Sequence, residues 1–247
     1  MEDLDPHFTA KHFIDYICTA RRVTREDFNI RPDVILSYVG NQESQAPRWD
    51  MEAVGLTIHQ GPIFSNRSVT LLKGPIGAPL TAGTIEELAE LGAKRLWILG
   101  YAGSLDPRFS LGSVVLVTKA WVDEGTSPRY GQDGWGNPDP AMTDRIKGLD
   151  SSLPTGNNWT TDAIYRETPQ KIRHFTEKGC HMVDMETSCY FHVGSQLGLS
   201  VAALMVISDE LFHPWNPGFG SAEVRNGIRE AYELLGRVLD LPKPPTR

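Results

Sequence analysis

Apolar residues in this chain come in short blocks separated by turn-forming residues, and the spacing within the blocks switches between two periods. Val34 to Val39 (VILSYV) follows the turn-prone RPD, and Ser68 to Leu72 (SVTLL) follows FSNR; both are read as strands. In Ala82 to Gly92 (AGTIEELAELG), Ile85, Leu88 and Ala89 share a helical face, Thr84 and Glu87 have capping-box spacing, and Gly92 ends the segment. Two further apolar runs, RLWILGY and SVVLVT, flank AGSLDPRFSLG, whose Gly, Asp-Pro and Ser residues are turn chemistry. Helices are expected at Ala141 to Leu149, at Pro169 to Gly179 and from about Glu186 to Leu197. A short strand ends at Met185, another runs from Val201 to Ile207, and AEVRNGIREAYELLGRVLDL is helical by period despite Gly227. The stretch YGQDGWGNPDPAMTD, Tyr130 to Asp144, reads as a surface excursion that could close over a site.

This alternation predicts an α/β protein: a central mixed sheet, open and covered by helices on both sides, as a three-layer α/β/α arrangement. The 247 residues, 40% of them hydrophobic, are enough for a full core, and one domain over 1–247 is expected. Charged residues make up 22% of the chain and no apolar run reaches the length of a membrane span. The polar, acidic start MEDLDPHFTAKHF is unlike a secretory signal, so a cytoplasmic setting is expected. With 24 basic against 31 acidic residues, the net charge of -7 would repel a nucleic-acid backbone. Cys18, Cys180 and Cys189 show neither a disulfide framework nor metal spacing; they read as reduced thiols, and no metal site is expected.

Ligands of α/β sheets gather beyond the carboxyl ends of the strands. Three expected strand ends carry suggestive residues: Ser208 and Asp209, Met185 and Glu186, and the glycine-rich LGYAGS from Gly100 to Gly103. Each carboxylate alone also fits a helix cap or a partner for a buried arginine. The glycine segment is not a dinucleotide-binding fingerprint.

Taken together, these residues resemble the nucleoside phosphorylase and nucleosidase family, which includes purine nucleoside phosphorylase, uridine phosphorylase and methylthioadenosine nucleosidase. The resemblance rests on V-x-M-E-[AST], here Val183, Met185, Glu186 and Thr187, followed by V-x-S-D, here Val206, Ser208 and Asp209. GPIGAP, LGYAGSL and TTDAIY match the family's glycine-proline segment, glycine turn and base-site segment, and DEGTSPRY is similar to the uridine phosphorylase branch. The resemblance spans roughly Asp33 to Leu235.

It implies cleavage of a nucleoside N-glycosidic bond. Such cleavage develops positive charge on the sugar and negative charge on the leaving base, so the sugar must be held and the base protonated. By match, Glu186 accepts hydrogen bonds from the ribose hydroxyls with Met185 against the ring. Asp209 is the general acid, and its presence favours a purine; Ser208 and Gly103 join the substrate-binding residues. Ile164 and Tyr165 line the base pocket, with Arg166 adjacent. The resemblance also implies a homodimer or a larger ring such as a hexamer, with residues 1–32 available for contacts between subunits. No cofactor is implied beyond inorganic phosphate as co-substrate.

The departure lies at phosphate. The expected G-D-P-x-R loop reads SYVGNQESQ; Ile98 stands where an arginine is usual, and Tyr101 where a small hydroxyl residue is usual. A phosphate nucleophile needs charge-assisted donors. The candidates are Arg48, Arg129 and Arg166, or Thr126 and Ser127 in an amide nest near Gly125. Phosphorolysis to free base and ribose 1-phosphate is narrowly favoured over hydrolysis, for which Glu43 is the candidate base. A non-catalytic nucleoside-binding protein is the third reading. His7 resembles a histidine that reaches a neighbouring subunit in some relatives, His192 reads as a packing residue, and His213 could edge the base pocket.

Overall fold

The computed structural model describes residues 6–58, 61–212 and 214–242. In chain order the first half supplies helix α1 (Ala10–Arg21), strand β1 (Asp33–Ser37), the one-turn helix α2 (Gln42–Gln45) and strands β2 (Glu52–Ile58), β3 (Gly61–Ser65) and β4 (Val69–Lys73). Helix α3 (Ala78–Glu90) and the long strands β5 (Arg95–Ser104) and β6 (Val114–Asp123) follow. The second half supplies β7 (Trp135–Gly136), α4 (Pro140–Leu149), β8 (Thr155–Thr161), α5 (Pro169–Glu177) and β9 (Met182–Asp184). It ends with α6 (Thr187–Gln196), β10 (Ser200–Glu210), β11 (Asn216–Pro217) and α7 (Ala222–Val238).

The central strands read as continuous apolar runs because both of their faces are covered. Alternate residues go to opposite layers. Leu36, Ile98 and Val117 lie under Ile85 and Leu88 of α3 and Tyr190 and Phe191 of α6. Their sequence neighbours Ile35, Trp97 and Leu116 lie under Tyr232 and Leu235 of α7 and Met142 and Ile146 of α4. Mid-helix Gly227 has a packing reason: a Cβ there would sit 2.1 Å from the Gly112 carbonyl oxygen. Among the described residues, no helix is long and apolar enough to cross a membrane.

The mixed α/β architecture agrees with the sequence reading, but the expected open sheet closes on one side. β1 lies between parallel neighbours β4 and β5, whereas β10 pairs with both β5 and β6. Pairings β6–β8, β8–β9 and β9–β5 complete a five-strand ring. Within that ring β9 runs antiparallel to β5. The site therefore does not form along one edge where all strands end, but where β9 and β10 flank the last residues of β5.

Other differences have local causes. LGYAGS is not a turn; it lies inside β5. Its glycines relieve crowding: a Cβ on Gly100 would lie 2.7 Å from the Met205 sulfur, and one on Gly103 would lie 2.4 Å from Leu211 Cδ1. Helix α3 begins four residues before the expected start, with Pro79 in its first turn. Thr84 is thus inside the helix, where its hydroxyl donates to the Leu80 carbonyl at 2.9 Å. The excursion after Tyr130 is tied to the sheet through β7, whose Trp135 meets Trp121 edge-on at 5.2 Å.

Candidate active site

Gly103 is the centre of the arrangement. It is in register with Asp209 of β10 on one side and with Val183 of β9 on the other. Pairing passes from Ile207 opposite Ala102 to Asp209 opposite Gly103, leaving Ser208 as an extra residue. Such a bulge re-aims the side chain that follows it. Ser208 is buried, and its hydroxyl donates to Asp209 Oδ1 at 2.7 Å. The indole N–H of Trp215 donates to Asp209 Oδ2 at 2.9 Å. Backbone pairing of β11 with Asp209 and Glu210 brings the tryptophan back over β10. Both carboxylate oxygens of Asp209 therefore accept a hydrogen bond.

The second carboxylate leaves β9 one residue after Met185. Glu186 stands at the start of α6, and its Oε1 accepts from the Gly77 amide at 2.7 Å. Gly77, at φ 87°, is in the left-handed region that glycine adopts freely and opens α3. GPIGAP thus presents an amide to Glu186. Burial and the adjacent Asp184 charge push the Glu186 carboxyl above its ordinary range. Asp184 is itself buried, and it accepts from Thr160 Oγ1 at 2.8 Å, the Thr187 amide at 3.0 Å and the Thr187 hydroxyl. Burial pushes the Asp184 carboxyl up as well, but these donors oppose that rise, so Glu186 is the member of the pair that retains a proton more readily. Tyr38 and Tyr190, bonded hydroxyl to hydroxyl at 2.8 Å, lie within reach of the Glu186 charge. Burial pushes both phenols well above their ordinary range.

The amides proposed as an anion nest are already engaged. Glu124 accepts from the Thr126 amide at 2.6 Å and from the Ser127 amide at 3.1 Å, and Asp162 accepts from the Gly125 amide at 2.8 Å. Ser188 Oγ donates to Glu124 at 3.2 Å. Glu124, Glu186, Asp162 and Asp184 all act on Cys189, whose thiol burial and these charges push up. Four carboxylates thus gather around the first turn of α6, the place where a helix dipole would welcome an anion. At the expected phosphate loop, the Gly40 amide is directed at the Tyr101 phenol, and Ile98 is buried in the core.

The cationic candidates are all exposed. Arg48 is exposed along a groove shared with Arg225, Arg229 and Arg237 on the α7 side. Arg129 and Arg166 are exposed in single helical turns, Ser127–Tyr130 and Ile164–Arg166. Glu43 is exposed in the first turn of α2, beyond the end of β1. Of the proposed base-pocket residues, Ile164 is 43% and Tyr165 94% exposed. Neither has an aromatic stacking partner among the described residues. His7 is exposed, His192 is buried with its ring pKa lowered by that burial, and His213 lies outside the described residues.

Two residues near Asp209 were not singled out from the sequence. Trp215 gave no periodic or motif signal and is placed by the β11 return. Glu167 is the half-buried member of an otherwise exposed run, 162–170. Burial and the Asp209 charge push its carboxyl up to about 7, against a smaller opposing effect from Lys171. The signal available for it was adjacency: it lies two residues after Tyr165 in TTDAIYRE.

Residues 39–240 match the phosphorylase superfamily, and the chain belongs to that family. A guanosine phosphorylase of Halorubrum lacusprofundi is 26% identical over 153 residues, 60% of this chain and 64% of that protein. The chain spans about half to two thirds of the length of the first curated relatives it matches. In fold it is similar to a uridine phosphorylase from Vibrio fischeri (TM-score 0.75, 24% identity, 87% of this chain and 93% of that one). It is also similar to an AMP nucleosidase from Bacteroides thetaiotaomicron (TM-score 0.68, 23% identity, 92% and 98%).

Proposed function

We infer that this protein cleaves the N-glycosidic bond of a purine-type nucleoside. The observation that carries this reading is the placement of Asp209 and the β9 strand leading to Glu186 on either side of Gly103. Glu186, fixed by the Gly77 amide, grips the ribose hydroxyls, and Met185 packs against the sugar. Asp209 directs a proton to a ring nitrogen of the departing base. The carboxylates around α6 supply negative potential that favours positive charge on the sugar in the transition state.

The same charges bear on the acceptor. A phosphate dianion approaching the amides of Gly125, Thr126 and Ser127 would meet Glu124 and Asp162 instead of free donors. Water carries no such penalty, so hydrolysis to free base and ribose is the reading the geometry favours, with Glu43 as the candidate base. Phosphorolysis is the second reading, supported by the family match and by the guanosine phosphorylase relative. It would draw on Arg48, Arg129 or Arg166, or on a rearranged Thr126–Ser127 turn.

The test is a nucleoside panel incubated with and without inorganic phosphate, with base and sugar products separated chromatographically. Free ribose formed without phosphate supports hydrolysis. Ribose 1-phosphate formed only with phosphate establishes phosphorolysis. Nucleoside binding without turnover would reject both in favour of a non-catalytic binding protein.

A further inference from the structure

The Asp209 carboxyl group is held at both oxygens by residues of different origin. Ser208, its neighbour in the chain, reaches Oδ1 at 2.7 Å. Trp215 comes from six residues further on and reaches Oδ2 at 2.9 Å because the chain folds back over β10. The tryptophan is 63% exposed, so burial does not account for where its ring lies. The bond from its indole N–H does.

The fold-back is anchored without help from the indole. In β11, Pro217 pairs opposite Asp209 and Asn216 opposite Glu210, and Asn216 Nδ2 donates to Glu210 Oε2 at 2.8 Å. The Gly218 amide donates to the Ser208 carbonyl at 2.9 Å, so the return closes on the bulged residue itself. Glycine makes that approach possible: a Cβ at Gly218 would lie 2.9 Å from the Ser208 oxygen and 2.7 Å from Leu111 Cδ2. Beyond it, the Phe219 ring meets Tyr101 of β5 edge-on at 6.3 Å. The backbone that carries Trp215 is therefore tied to the same bulge that aims Asp209.

An indole nitrogen donates and never accepts. Trp215 can therefore orient the carboxyl group without taking up the proton that the departing base needs. Each carboxyl oxygen has two acceptor positions, so each keeps one open after Ser208 and Trp215 are in place. We propose that Trp215 is a positioning residue whose indole N–H holds the Asp209 carboxyl in the orientation from which it protonates the departing base, an addition that rests on the glycosidic-bond reading above. In that step the C1′–N electron pair leaves with the base, and the proton of Asp209 passes to a ring nitrogen of the base. An oxygen of water or hydrogen phosphate bonds to C1′, and the proton that this oxygen sheds restores Asp209 through solvent. Trp215 keeps its own proton throughout. Fixing the direction of a proton donor acts on the transition state rather than on ground-state binding, so its loss lowers kcat more than it changes KM.

Trp215→Phe keeps an aromatic ring and removes the donor. The contact is tested first, without turnover, by ¹H–¹⁵N spectra in which the Trp215 indole resonance is assigned by its absence in Trp215→Phe. It is expected downfield of a free indole and should move upfield in Asp209→Asn; a free-indole position in the wild type, or no response to Asp209→Asn, overturns the proposal. The kinetic arm uses whichever purine nucleoside the panel identifies. In Trp215→Phe, kcat should fall about tenfold with KM within about twofold of wild type. The same nucleoside methylated at N7 of the purine releases its base without needing a proton, so on it Trp215→Phe should match wild type. Equal losses on the two substrates would mean a merely structural role, and no loss on either would mean none; both overturn the proposal. Adding Trp215→Phe to Asp209→Asn should cost no further activity, because the group it positions is gone, and a further tenfold loss overturns the proposal even where the methylated nucleoside is not turned over. A panel with no turnover at all rejects the glycosidic reading and the positioning task with it, whereas a wild-type kcat in Trp215→Phe rejects the positioning task and leaves that reading intact.

Discussion

The Glu186 corner and the Asp209 rim sit on either side of Gly103 and are built in opposite ways. At the Glu186 corner the carboxylates are held by deep secondary structure: Asp184 by Thr160 and Thr187, Glu124 by the Thr126 and Ser127 amides, and Glu186 by the Gly77 amide. At the rim, Asp209 is held by a bulged serine and by a tryptophan that is 63% exposed, with 94% exposed Tyr165 in the neighbouring segment. A rigid corner suits the invariant part of a nucleoside, its sugar, because fixed acceptors lose little freedom on binding. A loosely covered rim suits the variable part, the base.

The largest effect should come from the rim, through chemistry. Asp209→Asn is expected to reduce purine nucleoside turnover by about 10²–10⁴-fold with the fold intact, measured as free base released per unit time. Wild-type-like turnover would remove Asp209 from proton transfer and erase the functional side of the contrast.

At the corner, Glu186→Gln should weaken nucleoside binding relative to free base by about tenfold, because its amide nitrogen cannot accept a hydrogen bond from a ribose hydroxyl. Calorimetric titration with both ligands checks this, and an unchanged ratio would reject the sugar contact. The same variant carries a pH signature. Because the folded state raises the Glu186 pKa above its unfolded value, the wild type loses stability as pH rises from the ordinary glutamate range through the folded pKa. Glu186→Gln should therefore melt close to wild type at pH 4 and above it at pH 8, since its amide oxygen still accepts from Gly77. A melting difference that shrinks with rising pH would contradict the burial and charge account.

Smaller effects separate the two regions by stability alone. Thr187→Val removes a hydroxyl donor from buried Asp184 and should cost about 1.5–3 kcal/mol in denaturant unfolding. Trp215→Phe, at the exposed rim, should change stability by less than about 0.5 kcal/mol. Equal losses in the two variants would show that the rim is as tightly integrated as the corner.

The legibility of the elements followed their periods. Val201 to Ile207 and the α7 repeat were clear because their apolar spacing is strong, although β10 extends to Glu210 and so carries Ser208 and Asp209 within it. LGYAGS misled because glycine composition alone suggests a turn; whether glycine relieves packing is decided by Met205 and Leu211, residues more than a hundred positions away. The short polar strand TGNNWTT gave no apolar alternation, yet β8 is the link that lets the ring close between β6 and β9. For the nest near Gly125, sequence showed the amides but not that Glu124 would fold back on them.

The sequence by itself determined the α/β class, the order of the main elements and, through M-E and S-D with their spacing, the family. Those features are local patterns, and local patterns survive in one dimension. Only the tertiary structure decided that the sheet closes, that Ser208 is bulged, that Glu124 and Asp162 occupy the amides near Gly125, and that Trp215 bonds to Asp209. Each depends on groups distant along the chain meeting at distances where hydrogen bonding and charge become strong, and no periodicity encodes such meetings.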